Sequence, residues 1–477
     1  MPAMYPLPAA LFPTVKVHAD HVAQCASTSE RILESTMAAR QEYVHRYNRQ
    51  LDPATWRVVR RRRRSEDGVD MTVFQPQHKV RVPRPATTLS CSPILIAAGS
   101  MDGTLDDVML GLTASTTSMM KLVTSSLHGG IPDARVLNRM DTPTEDDPFA
   151  FLGLKWFVRR SKNRLATLAR PRDFVFLDAS GIRTLPNGTR VGYQLMHSVD
   201  LPHCPPMPMS LNIVRAYMSF CFLFYENPTT KRVEMFCKGY VDPRGGLARR
   251  ITVSVAADMI LGCSNALQCA RRKKIEWMLE EGATRPTPVN ESDEDAVATC
   301  ESQCRGSEQS DNSTTPSEIL STSSDDSLEG RLQATCTHHR HEQPPQRRRR
   351  SSVTAVWRSS GAATAESYCQ LCSERVCAQC VRRVELPDNR GARSVMACLH
   401  CVEDVEAMDA AAFARRTVSR SLQFIPLSHA AFALNGGATG EKIRLAPIQK
   451  KRPMYETEAW SNPTQAAERR RHTVSVM

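Results

Sequence analysis

No run in the sequence approaches the roughly eighteen consecutive apolar residues of a membrane-spanning helix, so no span is expected. The opening stretch MPAMYPLPAALFPTVKVHAD lacks a basic segment ahead of its short apolar part, which argues against a secretion signal. Catalytic fingerprints are missing as well: no HExxH, GxSxG, P-loop or dinucleotide motif stands in a suitable context, and no enzymatic activity is expected. There is neither a basic surface interleaved with aromatics nor a finger helix of DNA-binding type, so no nucleic-acid partner is expected. Apolar material is limited too. With 41% hydrophobic residues in 477 and a negative mean hydropathy, the chain suits one large domain, one small one and long connections.

What is present begins with charge. Sixty-two basic against 50 acidic residues give a net charge of +12, which favours anionic partners without choosing among them. The sixteen cysteines are unevenly placed. Six of them form three CxxC pairs, Cys369 with Cys372, Cys377 with Cys380, and Cys398 with Cys401, all within 33 residues. Each pair turns two sulfurs toward one point, and two pairs make the tetrahedral thiolate cage that Zn²⁺ prefers. The other ten are assigned to core or loop positions in a reduced, intracellular chain.

Along the chain, residues 18–50 place apolar side chains at helical spacing, and LDPATWRVVRRRRRSEDGVDMTVFQ reads as a hairpin with SEDG at its turn. Arg60 to Arg64 are expected to be a solvated strand end. SPILIAAGSM reads as a buried strand, GTLDDVMLGLTASTTSMMKLV as one helix capped by Thr104, and FLGLKWFV as a strand. In residues 172–200, Phe174 and Phe176 share one strand face while Val191, Tyr193, Leu195 and Val199 share another, with Asn187-Gly188 turning between the strands. Two further strands flank NPTTK, and DPRGG ends the sheet. From Ala248 to Glu281 apolar residues recur at three, four and seven, predicting a long helix whose Arg271, Arg272, Lys273 and Lys274 form a solvated basic end. Residues 282–366 are rich in Ser, Thr and acidic residues and turn basic at Arg347 to Arg350, before Ser351 and Ser352; no core can form there.

The motifs LDPATWRVV, GTLDDVM, LKW at Leu154 to Trp156, RDFVFLDASG and NGTRVGYQLMHSVD, followed by the long closing helix, resemble a START-like domain. The resemblance implies an α+β helix-grip fold, in which a curved antiparallel sheet wraps a long C-terminal helix around a site for one lipid or sterol. The cysteine cluster resembles a degenerate FYVE-type zinc finger. A full FYVE finger has four CxxC pairs in a cross-brace; here the first pair is missing. The resemblance therefore implies one complete site from Cys369, Cys372, Cys398 and Cys401, and leaves Cys377 and Cys380 in need of two ligands. Cys336 and His339 stand upstream, but the 29 residues between His339 and Cys369 are long for this fold. Where FYVE fingers carry the cationic donors that read an inositol phosphate, this chain has AESY and VMA, so phosphoinositide binding by the finger is not expected.

The expected organisation is a disordered N-terminus over 1–17, a START-like domain over 18–281, a disordered linker over 282–366, a FYVE-like module over 367–410 and a mostly disordered basic tail over 411–477. The expected function is non-enzymatic lipid binding or lipid sensing in the cytoplasm, with peripheral contact to endomembranes, one Zn²⁺ and protein partners docked by the zinc module. An interaction adaptor without a lipid ligand, and a nuclear regulator using the arginine runs, are the alternatives.

Overall fold

The computed structural model describes residues 5–12, 15–63, 68–77, 93–128, 131–160, 170–284, 357–359, 367–376, 380–388, 391–423 and 444–445. Arg64, Cys336, His339, Arg347 to Ser352, Cys377 and most of the expected linker and tail lie outside them. The chain divides into two compact units, residues 1–273 with 387–392 and 409–477, and residues 274–386 with 393–408.

In the first unit, α1 (Ala19–Gln41) runs into a π turn at Glu42–Arg46. The strands β1 (Trp56–Arg62) and β2 (Asp70–Pro76) pair as the expected hairpin and lead to β3 (Leu95–Asp102). The single helix expected next is two, α2 (Leu105–Leu112) and α3 (Thr117–Leu127). Thr113 leaves the helix with ψ 129°, and Thr116 turns extended and caps α3 by accepting from the Met119 amide. A run of short polar residues, TASTT, offers the backbone these side-chain partners in place of helical ones. Thr104 caps α2 as expected, accepting from the Asp107 amide at 3.1 Å.

The remaining strands are β4 (Asp133–Asp141), β5 (Phe151–Arg159), β6 (Arg172–Thr184), β7 (Arg190–Asp200), the short β8 (Val214–Arg215), β9 (Tyr217–Asn227) and β10 (Arg232–Asp242). Gly188, at φ +78°, makes the β6–β7 turn. The sheet order is β1-β2-β3-β10-β9-β7-β6-β5-β4, with antiparallel pairing along this path. β4 was not expected, because its sequence DARVLNRMD is charged and only its first two residues are buried.

The chain then forms α4 (Arg249–Gly262), a 3₁₀ turn at Cys263–Asn265, and α5 (Ala266–Thr284). Contrary to the sequence expectation, a window of Arg249–Glu281 reaches a mean hydropathy of 1.2, long and apolar enough to cross a membrane, but 61% of it is buried in the protein. It is the core helix that the sheet grips. Gly111 in α2 allows the closest approach: a Cβ there would lie 1.9 Å from the Ala266 carbonyl oxygen.

Strand pairing separates two faces of the sheet. On one, Ala179, Val191, Leu195, Cys221, Leu223, Tyr225 and Phe236 pack with Leu33 and Ala39 of α1. The other carries Phe157, Phe174, Phe176, Phe220, Phe222 and Phe224 by strand alternation, all buried. It is the face toward α2, for a Cβ at Gly192, which pairs with Phe224, would meet Leu105 and Met109.

Two expectations are corrected. The stretch 1–17 was expected to be disordered, yet Leu7 and Val15 are buried, Phe12 packs on Trp156 at 4.5 Å, and Leu7 donates its amide to Asp133 at 2.9 Å. The basic end of the closing helix is not solvated: Arg272, Lys273 and Lys274 are buried. The Lys273 ammonium bonds the Leu110 and Thr113 carbonyls at 2.5 and 2.6 Å, closing the C-terminus of α2, and Arg272 bonds Ser125 and Ser126. The arginine strand end is exposed at Arg60, Arg61 and Arg63, as expected, with Arg60 paired to Asp258 and Arg62 bonded to Ser264 and Asn265.

The second unit contains β11 (Trp357–Ser359), β12 (Ser367–Tyr368), β13 (Arg375–Val376), β14 (Val381–Asp388), β15 (Gly391–Cys398) and α6 (Leu399–Ala407). The strands β11, β14 and β15 form one sheet and β12 with β13 another. The core joins Val381, Val384, Leu386, Val395, Ala397, Val402 and Val405 to Ile275, with Met278 and Leu279 packed against it. The helix expected over Val402 to Arg416 breaks at Met408, where ψ reaches 119°. Its second half, α7 (Ala410–Gln423), belongs to the first unit and packs against α2. A last strand, β16 (Arg444–Leu445), pairs with β7.

Candidate functional site

Two places in the molecule concentrate chemistry, one in each unit. In the first, the phenylalanine face of the sheet carries a buried ion pair. Lys155 and Asp178 alternate with apolar neighbours on β5 and β6, and their registers with Phe176 and Gly153 put both on that face. Lys155 Nζ lies 2.5 Å from Asp178 Oδ2, with the two side chains only 4% and 3% exposed. Gln194, from β7, reaches the other carboxylate oxygen at 3.5 Å, and the ammonium sits 4.2 Å from the Phe151 ring centre.

Such a pair is costly to hold in an apolar interior, because desolvation of two charges rivals their attraction. An apolar pair of the same volume would fill the space at less cost. A polar group placed among aromatic walls is instead the usual composition of a site that orients one ligand. Spacing alone did not single out these three residues; their one local signal is that LKW, LDA and YQL each insert a polar residue into an otherwise apolar strand.

The histidines near Asp200 do not assemble into a catalytic set. His197 lies on the α1 face with Nδ1 3.0 Å from Ser219 Oγ, and Asp200 accepts from the Tyr217 hydroxyl at 2.6 Å. Lys238 is buried on that same α1 face, and desolvation lowers its pKa to about 7.

In the second unit, the sulfurs of Cys369, Cys372, Cys398 and Cys401 all lie within 4.8 Å of one another. These are the first and third of the three CxxC pairs in the sequence. Cys377 lies outside the described residues, and Cys380 is not a member of the group. Cys369 and Cys372 sit on a turn closed by a bond from the Ser373 amide to the Cys369 carbonyl, with Ser373 at φ +66°. Cys398 ends β15 and caps α6, which carries Cys401 in its first turn.

Backbone amides point at these sulfurs: those of Leu371 and Cys398 at Cys369, and that of Cys401 at Cys398. The thiols of Cys398 and Cys401 donate to Cys369 and hold it well below the usual thiol range. The same bonds push Cys398 up to about 12 and Cys401 higher still, while burial raises Cys372. Four thiolates cannot coexist so close without a cation.

The donor set fits one metal ion. Zinc–sulfur bonds of about 2.3 Å imply tetrahedron edges of about 3.8 Å, and Cys372 Sγ stands 3.9 Å from Cys398 Sγ. The amide bonds supply the outer shell that orients such ligands.

No protein-family model and no curated protein matches the chain. Among solved structures it is similar to human StAR-related lipid transfer protein 5, at 18% identity over 52% of this chain and 98% of that one, with a TM-score of 0.35. Human STARD10 follows at 12% identity, 50% and 82% coverage and a TM-score of 0.32. A STAR-related lipid transfer protein from Xanthomonas axonopodis has 12% identity, 45% and 96% coverage and a TM-score of 0.30. The strand order and the gripped helix of the first unit define its class by themselves: it has a helix-grip fold, an antiparallel sheet wrapped on its C-terminal helix.

Proposed function

We propose that the first unit is a non-enzymatic binder of an apolar ligand, a lipid or sterol, held between the phenylalanine face of the sheet and the gripped helix. The Lys155–Asp178 pair with Gln194 carries this reading, because it supplies a donor and an acceptor inside an aromatic enclosure where a core would use neither. A single ligand hydroxyl or carbonyl could exchange hydrogen bonds with the pair while its apolar body covers the rings. The second unit is a FYVE-like module in which Zn²⁺ on Cys369, Cys372, Cys398 and Cys401 has a structural role, closing a site that keeps no open position. It docks protein partners and, lacking cationic donors at AESY and VMA, does not read phosphoinositides. We place the protein in the cytoplasm, peripheral to endomembranes.

Native mass spectrometry of the full chain tests these points together. A lipid-sized adduct and a single zinc are the expected result. Zinc without any lipid adduct, even after incubation with a mixed lipid extract, would replace the binder with an interaction adaptor.

A further inference from the structure

Resting on the reading of this face as a ligand site, we infer that its end, between Arg159 and His128, receives the anionic group of an amphiphile, a carboxylate or a phosphate. Arg159 follows Phe157 and Lys155 at alternate positions of β5, so its side chain leaves the same face of the sheet. At the strand rise of about 3.3 Å per residue, it stands roughly 13 Å along β5 from Lys155. The rings between are Phe157, Phe174 and Phe176, with centres 5.0 and 5.4 Å from that of Phe157.

Two polar atoms at this end are shielded from solvent and have no hydrogen-bond partner: Nη1 of Arg159 and Nδ1 of His128. His128 ends α3 and lies against the last turn of α4, where a Cβ on Gly262 would come 2.3 Å from its Nδ1. Orphaned buried polar groups cost about 1–3 kcal/mol each and are rare in folded proteins.

The local charge balance selects the kind of partner. Asp258 is the acid whose charge bears on Arg159, and its carboxylate is already bonded by Arg60. Two guanidiniums thus share one carboxylate beside an imidazole that burial keeps neutral, its pKa lowered to about 3. A group bringing a negative charge and acceptor oxygens would satisfy Arg159 in the charge-assisted geometry that guanidinium favours. A neutral sterol would leave it unpaired. The ligand class is therefore a chain-bearing anion whose tail lies along the phenylalanines.

The test uses full-length protein and three probes of one chain length, dodecanoate, dodecyl phosphate and dodecan-1-ol, titrated calorimetrically below their aggregation limits. At least one anion should bind ten times or more tighter than the alcohol, and the stronger of the two identifies carboxylate or phosphate as the group taken. Arg159→Gln should erase that preference with alcohol affinity held within twofold, and Arg159→Lys should keep part of it. His128→Leu should weaken the anion alone, giving a second reading if Arg159→Gln fails to fold.

Equal binding of anions and alcohol by the unaltered protein would overturn the anionic assignment and leave the apolar site standing. An undiminished preference in a folded Arg159→Gln protein would overturn the location. Failure of all three probes to bind would remove the ligand site itself, and this inference with it.

Discussion

Replacing Lys155 with methionine strands the Asp178 carboxylate in a space where the pair is only 4% and 3% exposed. Breaking a buried pair from one side costs about 3–5 kcal/mol. The Gln194 amide at 3.5 Å is too distant to recover much of that. We expect Lys155→Met and Asp178→Leu each to destabilise the first unit by about 3 kcal/mol. For a unit of this size that lowers its thermal midpoint by roughly 6–12 °C, at about 2–4 °C per kcal/mol. The double variant Lys155→Met/Asp178→Leu removes both charges and both desolvation costs, so it should lie within about 1 kcal/mol of the unaltered protein. The coupling between the two positions is then about 5 kcal/mol, read from near-ultraviolet circular dichroism of the four proteins in a double-mutant cycle. The double variant should nevertheless lose the copurified lipid. Additive costs, or single variants that cost less than about 1 kcal/mol, would refute the reasoning, because they would mean that water or relaxation already screens the pair.

Three other outcomes are expected. His128 is held neutral, with a pKa of about 3 against an ordinary 6.5, so the unfolded chain takes up its proton first as pH falls. Stability present above pH 6.5 should decline by about 2 kcal/mol on reaching pH 5, and His128→Gln should flatten this part of the urea-midpoint profile. Chelation, or Cys401→Ser, should remove the single bound metal and open the core around Val381 and Val395 to protease, with metal content and cleavage followed in one sample. Gly111→Ala sets a methyl against the Ala266 carbonyl oxygen and should cost about 1–3 kcal/mol by overpacking, measured as a lowered thermal midpoint.

The strands were legible where burial on both faces wrote long apolar runs, as in SPILIAAG and FCFLFYE, and the β6–β7 turn was legible from Asn187-Gly188. β4 was not, since its charged sequence is held by pairing with β5 and by Asp133 receiving the Leu7 amide. Nor could spacing show that Arg272 and Lys273 turn inward, because their partners are hydroxyls and carbonyls more than a hundred residues away. The four converging cysteines were legible because ligand pairs are local motifs. Lys155, Asp178 and Gln194 come together only through strand register, and nothing in one strand alone says which polar residue meets which.

The discontinuous core of the second unit bears on how its pieces behave in isolation. Ile275 is buried with Val384 and Val395, although about a hundred residues separate them in sequence, and Met278 and Leu279 join it. A fragment beginning at residue 367 keeps all four sulfurs of the metal group yet lacks part of the wall behind them. A fragment ending at 281 carries that apolar patch with nothing to cover it. Metal affinity measured on the short finger should understate that of the whole chain, and the isolated sheet unit should self-associate through residues 275–279.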